Sequence, residues 1–278
     1  SLTTGALGAF VYFIDPRSKL YRIFSLYSFS IALWSAILTV HTFSHDRELS
    51  ILTGKYLHVG AALIPVLFVH FVTEFFSSDD QRITRRCLPA LYFVSFVFIL
   101  LCINGTLVSE VAPKYGISYL MVPNPGYIYL IAFFAVCATW GLVKLYRGYR
   151  RAEGLRKNQI KYLLIGSLFG YIGGVDNFLY LYDITVFPLF PYGTYAVPIY
   201  VFITAYAIVQ HRLLDINVVI KQSLIYALLL VLLLVPCFLI VVWTQLVAFG
   251  EIDYTFSMFT LLLFVVVGFM YPKLRFRT

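Results

Sequence analysis

Few side chains of this chain can hold a proton or an ion, and several of those few lie inside long apolar runs. An ionisable group at the centre of a bilayer-length helix costs about 2.5–3.5 kcal/mol or more, so it normally faces a partner or a site. Asp176, in Gly173-Gly174-Val175-Asp176-Asn177, has two readings. It is a ligand, ion or proton site, where paired glycines let backbone and partners approach, or it makes an interhelical hydrogen bond near the membrane interface. His70 and Glu74 stand one helical turn apart. The spacing suits an intramembrane hydrogen-bonded pair first, with a proton-linked role or a share in a metal site as alternatives. His41, His45 and His58 surround a loop that also carries Asp46 and Glu48. Such a group could bind zinc or copper, titrate together, or be plain loop polarity. Pro188, Pro191 and Pro198 with Tyr192, Tyr195 and Tyr200 suggest a kinked or broken helix start and an aromatic pocket between the sixth and seventh spans.

No catalytic constellation accompanies these groups. The chain has no GxSxG, no HExxH and no phosphate-binding glycine loop, and no catalytic residue is assigned. Cys87, Cys102, Cys137 and Cys237 have neither CxxC nor metal-like spacing, which makes them small apolar packers. No metal and no cofactor are expected.

The elements that must position these residues follow from composition. With 61% hydrophobic and 12% charged residues and a mean hydropathy of +0.86, the chain is not a water-soluble globule. A span needs roughly 20 apolar residues, and nine segments meet or approach that length: Leu2–Ile14, Ile23–Phe43, Leu57–Phe76, Leu88–Ile103, Tyr127–Leu145, Tyr162–Tyr182, Phe187–Val209, Leu224–Phe249 and Phe256–Tyr271. The runs are continuously apolar, without the alternation of barrel strands. The expected fold is all-α, a polytopic integral membrane bundle of about nine helices. Leu2–Ile14 is short, which leaves room for residues before Ser1.

Charge sets the expected orientation. Of 21 Lys and Arg residues, 18 fall on the loops after odd-numbered spans, which puts the N-terminus outside and the C-terminus in the cytoplasm. The net charge of +8 therefore reflects topology, not nucleic-acid binding. Basic residues from Arg147 to Lys161 are expected to meet anionic lipid headgroups. On the other side, Val122-Pro-Asn-Pro-Gly126 reads as a turn before the fifth span. Tyr119, Tyr127, Tyr129, Trp243 and Tyr254 suit an interfacial aromatic belt. Gly166, Gly170, Gly173 and Gly174 form a small-residue run for close helix packing.

Several segments together resemble a known family. They are Arg156-Lys-Asn-Gln-Ile-Lys-Tyr-Leu-Leu-Ile-Gly166, Gly173-Gly-Val-Asp-Asn-Phe178, Phe187-Pro-Leu-Phe-Pro-Tyr-Gly193 and Ala205-Tyr-Ala-Ile-Val-Gln-His-Arg-Leu-Leu-Asp-Ile216, with Tyr56-Leu-His-Val-Gly-Ala-Ala-Leu-Ile-Pro65 and Phe68-Val-His-Phe71. In that order they look like the N-terminal seven-transmembrane sensor region of bacterial sensor histidine kinases, here with two extra transmembrane helices. The resemblance implies a seven-helix sensor module over residues 1–209, a cytoplasmic linker over 210–223 and a two-helix extension over 224–278 leading to cytoplasmic output domains. It implies a non-enzymatic input module in the bacterial inner membrane that passes an extracellular or intramembrane signal inward. Any kinase activity would belong to further domains. The candidate signal-contact residues are Asp176, Asn177, Tyr192, Tyr195, His41 and His58. Expected partners are membrane lipids, a small ligand, a second copy joined through kinase domains, and other membrane subunits; nucleic acid is not among them. A structural subunit of a larger membrane complex is the alternative, and a small-molecule transporter, without visible repeats, ranks below it.

Overall fold

The computed structural model divides the chain into two compact units, Ser1–Leu214 and Asp215–Thr278, and describes residues 2–76, 82–187, 190, 193–210 and 245. The ninth expected span, the eighth apart from Gln245, the linker beyond Gln210, Pro188, Pro191 and Tyr192 lie outside the described residues. The first unit contains α1 (Leu2–Ile14), α2 (Lys19–Phe43), α3 (Arg47–Phe76), α4 (Arg82–Ile103), β1 (Val108–Lys114), β2 (Ile117–Pro123), α5 (Tyr127–Arg151), α6 (Gly154–Leu179) and α7 (Ala196–Gln210). Single 3₁₀ turns, Tyr180–Tyr182 and Gly193–Tyr195, separate α6 from α7. Helices α2 to α6 are long and apolar enough to cross a membrane, whereas α1 and α7 are shorter. Of the expected seventh span, Ala196–Gln210 is described as continuous α-helix, and Phe190 before it is also helical, its amide donating to Val186 O at 2.9 Å. Pro198 is tolerated in the first turn of α7, where amides lack intrahelical partners.

Helix α3 is the core, with 72% of its apolar window buried against 17% for α4. It packs on α2, α4 and α5, while α1 joins α2 to α7 and α6 joins α5 to α7. Pro65 interrupts its backbone ladder, and one residue beyond the carbonyl left open the Ser95 hydroxyl of α4 donates to Ala62 O at 2.9 Å. The bond ties α4 to α3 beside the proline. At its C-terminal turn, Arg156 of α6 donates to Phe75 O at 2.6 Å with its guanidinium 3.9 Å from the Phe75 ring centre. Lys19 of α2 meets Glu74 at 2.8 Å and Arg85 of α4 meets it at 3.6 Å. Three cations thus gather where the α3 dipole is negative.

The opposite end amends the all-α expectation. Residues 108–123 form an antiparallel hairpin, with Lys114 paired to Ile117. Tyr115 and Gly116 between them have φ of 53° and 79°, a two-residue turn of the type whose twist suits a hairpin. Leu107, Val108, Leu120 and Met121 are buried, so the hairpin closes this end of the bundle. It is tied to the turn after α6: Lys114 Nζ lies 2.7 Å from Asp183, and the Tyr115 hydroxyl donates to the same carboxylate at 3.0 Å.

Glycines set two close helix contacts. A Cβ on Gly141 or Gly148 of α5 would strike Phe68 or Phe76 of α3. On α6, Gly166 and Gly170 lie against α7, where a Cβ would stand 3.3 Å from Thr204 and 3.4 Å from Tyr200 respectively. Gly173 is tighter still, since its Cβ would strike Ala196 and the Gly193 carbonyl. Gly174 departs from the expected single packing face: a Cβ there meets nothing within 4 Å.

Adjacent glycines should therefore respond oppositely. Gly173→Ala is expected to destabilise the bundle by about 1–3 kcal/mol through overpacking against backbone. Gly174→Ala should be neutral or stabilising by up to about 1 kcal/mol from helix propensity. Thermal unfolding of both variants in detergent checks this. The hairpin tie should depend on acid. Lys114, and secondly the Tyr115 hydroxyl, hold the Asp183 carboxyl below its ordinary range. A depressed folded value means that the tie is complete above the unfolded pKa of about 3.9 and is lost as pH falls through the lower folded value. Hydrogen exchange of hairpin amides, corrected for intrinsic rates, should rise in that acid window and show no such step in Asp183→Asn.

Candidate functional site: an interior cavity beneath the hairpin

Between α2, α3, α5, α6, α7, β2 and the turn after α6 lies a cavity of about 60 Å³. Aromatic packing builds its walls. Tyr27 of α2 lies 6.2 Å from Tyr200 of α7 and Phe134 of α5 lies 5.0 Å from Phe178 of α6, while Phe68 of α3, outside the lining, backs Tyr171 of α6 at 4.9 Å. Such tilted and edge-on ring pairs fix the positions of side chains that have apolar bodies and polar tips.

The polar tips are what distinguish the cavity from ordinary core. His58 Nδ1 is 2.6 Å from Gly54 O, and because a carbonyl only accepts, that nitrogen carries a proton. In the neutral ring Nε2 then accepts from the Tyr127 hydroxyl, 2.7 Å away. This bond joins α3 to α5 under the hairpin. Hydroxyls of Tyr27, Tyr171 and Tyr200 come within hydrogen-bonding reach of one another, and that of Tyr200 within reach of Thr204. Those of Tyr171 and Tyr200 are nevertheless buried without a hydrogen-bond partner among the described residues. Asn177, whose amide approaches Gly174 O at 3.4 Å, completes the polar lining.

The residues singled out from sequence part company here. His58 and Asn177 line the cavity. His58 does not open its helix at the surface: α3 starts at Arg47, which carries the imidazole into the core. Asp176 points along the seam with α7, where a Cβ on Gly193 would come 2.9 Å from its Oδ2. Its Oδ1 is buried without a partner among the described residues. His41 is fully buried beside Gly54. Its Nδ1 donates to Ser50 O at 3.1 Å and lies 3.0 Å from Thr53 Oγ1. His45 instead pairs with Ser118 at 2.8 Å, apart from His41 and His58, which both lie against Gly54. Among the described residues no three His, Cys, Asp or Glu side chains form a metal-binding group. Tyr195 is 69% exposed and is not part of the lining.

His70 and Glu74 sit at the far, basic end. His70 Nδ1 is 2.8 Å from the Tyr92 hydroxyl, and its Nε2 is 3.9 Å from Glu74, which is held by Lys19 and Arg85 instead. The cavity is not confined to the α6–α7 seam, because the glycines close that seam. Sequence reasoning missed Tyr27 and Tyr171 and assigned Tyr127 to the interfacial belt, although it is 1% exposed. Mid-span tyrosine was the available signal, since a hydroxyl at that depth has no water to bond.

The family model of the N-terminal 7TM region of histidine kinase matches residues 1–217, which include every described helix of the first unit. No curated protein and no solved structure matches the chain. The matched region is the membrane sensor part of such kinases and not their catalytic domain. The chain is a multi-pass membrane protein that belongs to the family of histidine kinase N-terminal 7TM regions.

Proposed function

We propose that the interior cavity is the signal-receiving site of a membrane sensory input module in a two-component system. The carrying observation is its set of unpartnered hydroxyls on Tyr171 and Tyr200, beside the His58–Tyr127 bond. Unsatisfied polar groups in hydrocarbon are costly, and a ligand that satisfies them binds one arrangement of the helices better than another. His58 and Asn177 are the ligand-facing members of the set expected from sequence. Asp176 acts as a lock at the α6–α7 seam, and His41 supports the wall beneath the hairpin. Tyr195 takes no part.

Helix α6 couples the two. Tyr171, Gly174 and Asn177 line the cavity, while Gly166, Gly170 and Gly173 touch α7 and its preceding turn. A small movement of α6 on cavity filling is therefore felt by α7, in the manner of packed helices that slide between discrete arrangements. From α7 the shift passes to the linker 210–223 and the two-helix extension 224–278, and on to output domains in the cytoplasm. In this reading the basic end around Glu74 faces the cytoplasm of a bacterial cell, following the positive-inside rule, and dimerisation occurs through the output domains.

Expressed full-length with its native continuation in its own host, His58→Ala and Asn177→Ala should change reporter output by about ten-fold, at unchanged membrane levels. Tyr195→Ala should behave as wild type. Equal output from all three variants and wild type would refute the assignment.

A further inference from the structure

We propose that the cleft between α5 and α6 is a lateral entry through which an uncharged single-chain amphiphile reaches the cavity, its alkyl chain in the cleft and its hydrogen-bonding head on Tyr171 and Tyr200. The inference rests on the reading of the cavity as the ligand site.

Size comes first. About 60 Å³ accommodates a few waters, since one water needs roughly 10–15 Å³ on this measure. It is far below the roughly 300–1,000 Å³ of sites for organic ligands. The cleft, at about 500 Å³, reaches that range. It runs along the outer faces of α5 and α6 between aliphatic side chains such as Ile131, Leu142, Ile172 and Val175. Ile172 and Val175 are exposed on the bundle surface, and both helices are membrane-crossing in length and composition. The cleft therefore opens to hydrocarbon.

Cavity and cleft share a wall. Phe134, Tyr171 and Phe178 belong to both linings. The Phe134 ring is 5.0 Å from Phe178 and 5.7 Å from Tyr171, so one layer of rings separates the two spaces. Rotation of these rings joins them into a channel from the bilayer to the interior hydroxyls. Small residues bring α6 close to α7 and the hairpin covers the end, whereas on the α5–α6 face the shared rings stand between the cavity and the cleft.

Chemistry selects the ligand. Tyr171 and Tyr200 are 7% and 2% exposed, and neither hydroxyl makes a well-aligned hydrogen bond among the described residues, although Tyr27 and Thr204 stand near them. A head with one donor and one acceptor satisfies both. Neither lining carries Lys, Arg, Asp or Glu, and an ionised head would be stranded without a counter-charge. His58 is already engaged on both ring nitrogens. An uncharged head on an alkyl chain fits the two spaces together.

The test uses the chain in lipid nanodiscs with a dodecanol photoprobe bearing a mid-chain diazirine, mapped by mass spectrometry. Labelling is expected on α5 and α6 along the cleft. Val175→Trp, which fills the cleft from an exposed position, should lower it about ten-fold. Tyr200→Phe should leave its location unchanged but weaken competition by plain dodecanol about five-fold. Labelling spread equally over lipid-facing positions such as Phe93 and Phe96 of α4, or indifferent to Val175→Trp, overturns the proposal. So does a cleft that stays unlabelled because protein, a second copy or residues after Leu214, covers it. Unaltered competition in Tyr200→Phe overturns the placement of the head. A parallel measurement of thermal stabilisation by water-soluble p-cresol separates the two readings. Stabilisation that survives Val175→Trp but falls in Tyr200→Phe keeps the cavity and refutes lateral entry. Indifference of both ligands to Tyr200→Phe and His58→Ala refutes the cavity itself.

Discussion

Hydrocarbon supplies no hydrogen bonds, and that single deficit organises the bundle. Every backbone polar group carried into the spans must be answered within the protein, and buried side chains that are answered tie helices together. Helix α3 shows the rule three times along its length. His58 is answered by Tyr127 of α5, the backbone near Pro65 by Ser95 of α4, and the last turn by Arg156 of α6. Each answer comes from a different helix, so the polar demands of one helix hold three neighbours in register. Dispersion packing alone, equally available from lipid tails, would not specify that arrangement.

Glycine placement then decides which interfaces close and which remain open. Gly141 and Gly148 admit the rings of α3 into α5, and Gly166, Gly170 and Gly173 bring α6 onto α7. No glycine of α6 is turned toward α5 in the same way: Gly174 looks into open space, and the facing side chains along the cleft are branched aliphatics and rings. Bulky residues on two helices that meet along this stretch through Phe134, Tyr171 and Phe178 leave a furrow. The tight seam and the furrow lie on opposite sides of one helix, which makes α6 the element through which a change on one side is felt on the other.

Hydropathy located the helices but not their polar ends. Helix α6 was expected from Tyr162 and begins at Gly154, because its first two turns are charged and Arg156 caps α3 from there. Helix α3 likewise starts ten residues before Leu57, continuing beneath the hairpin. The hairpin itself escaped notice because its alternation is short beside the long apolar runs, and because its turn places Tyr115, not the usual Asn or Gly, at positive φ. Asn177 and His58 were legible as polar residues in apolar runs. The tyrosines were not: with 22 in the chain, each reads singly as belt or filler, and only the crossing of α2, α6 and α7 brings Tyr27, Tyr171 and Tyr200 together. Asp176 was legible as an anomaly, but helical phase turned it to the seam and its neighbour Asn177 to the cavity.

The energy scale of the unpartnered groups suits a switch. Leaving a buried hydroxyl unsatisfied costs about 1–3 kcal/mol, and couplings between sites in allosteric proteins are about 1–3 kcal/mol. One such group answered by a ligand shifts a two-state equilibrium by about five-fold to over a hundred-fold, and two answered together approach the roughly 5.5 kcal/mol that reverses a 1:99 population. A core with every hydroxyl paired would bind nothing at this depth and would have no reason to change. The same bundle that answers polar groups along α3 leaves the Tyr171 and Tyr200 hydroxyls without well-aligned partners, and it is on this difference that the proposed switch rests.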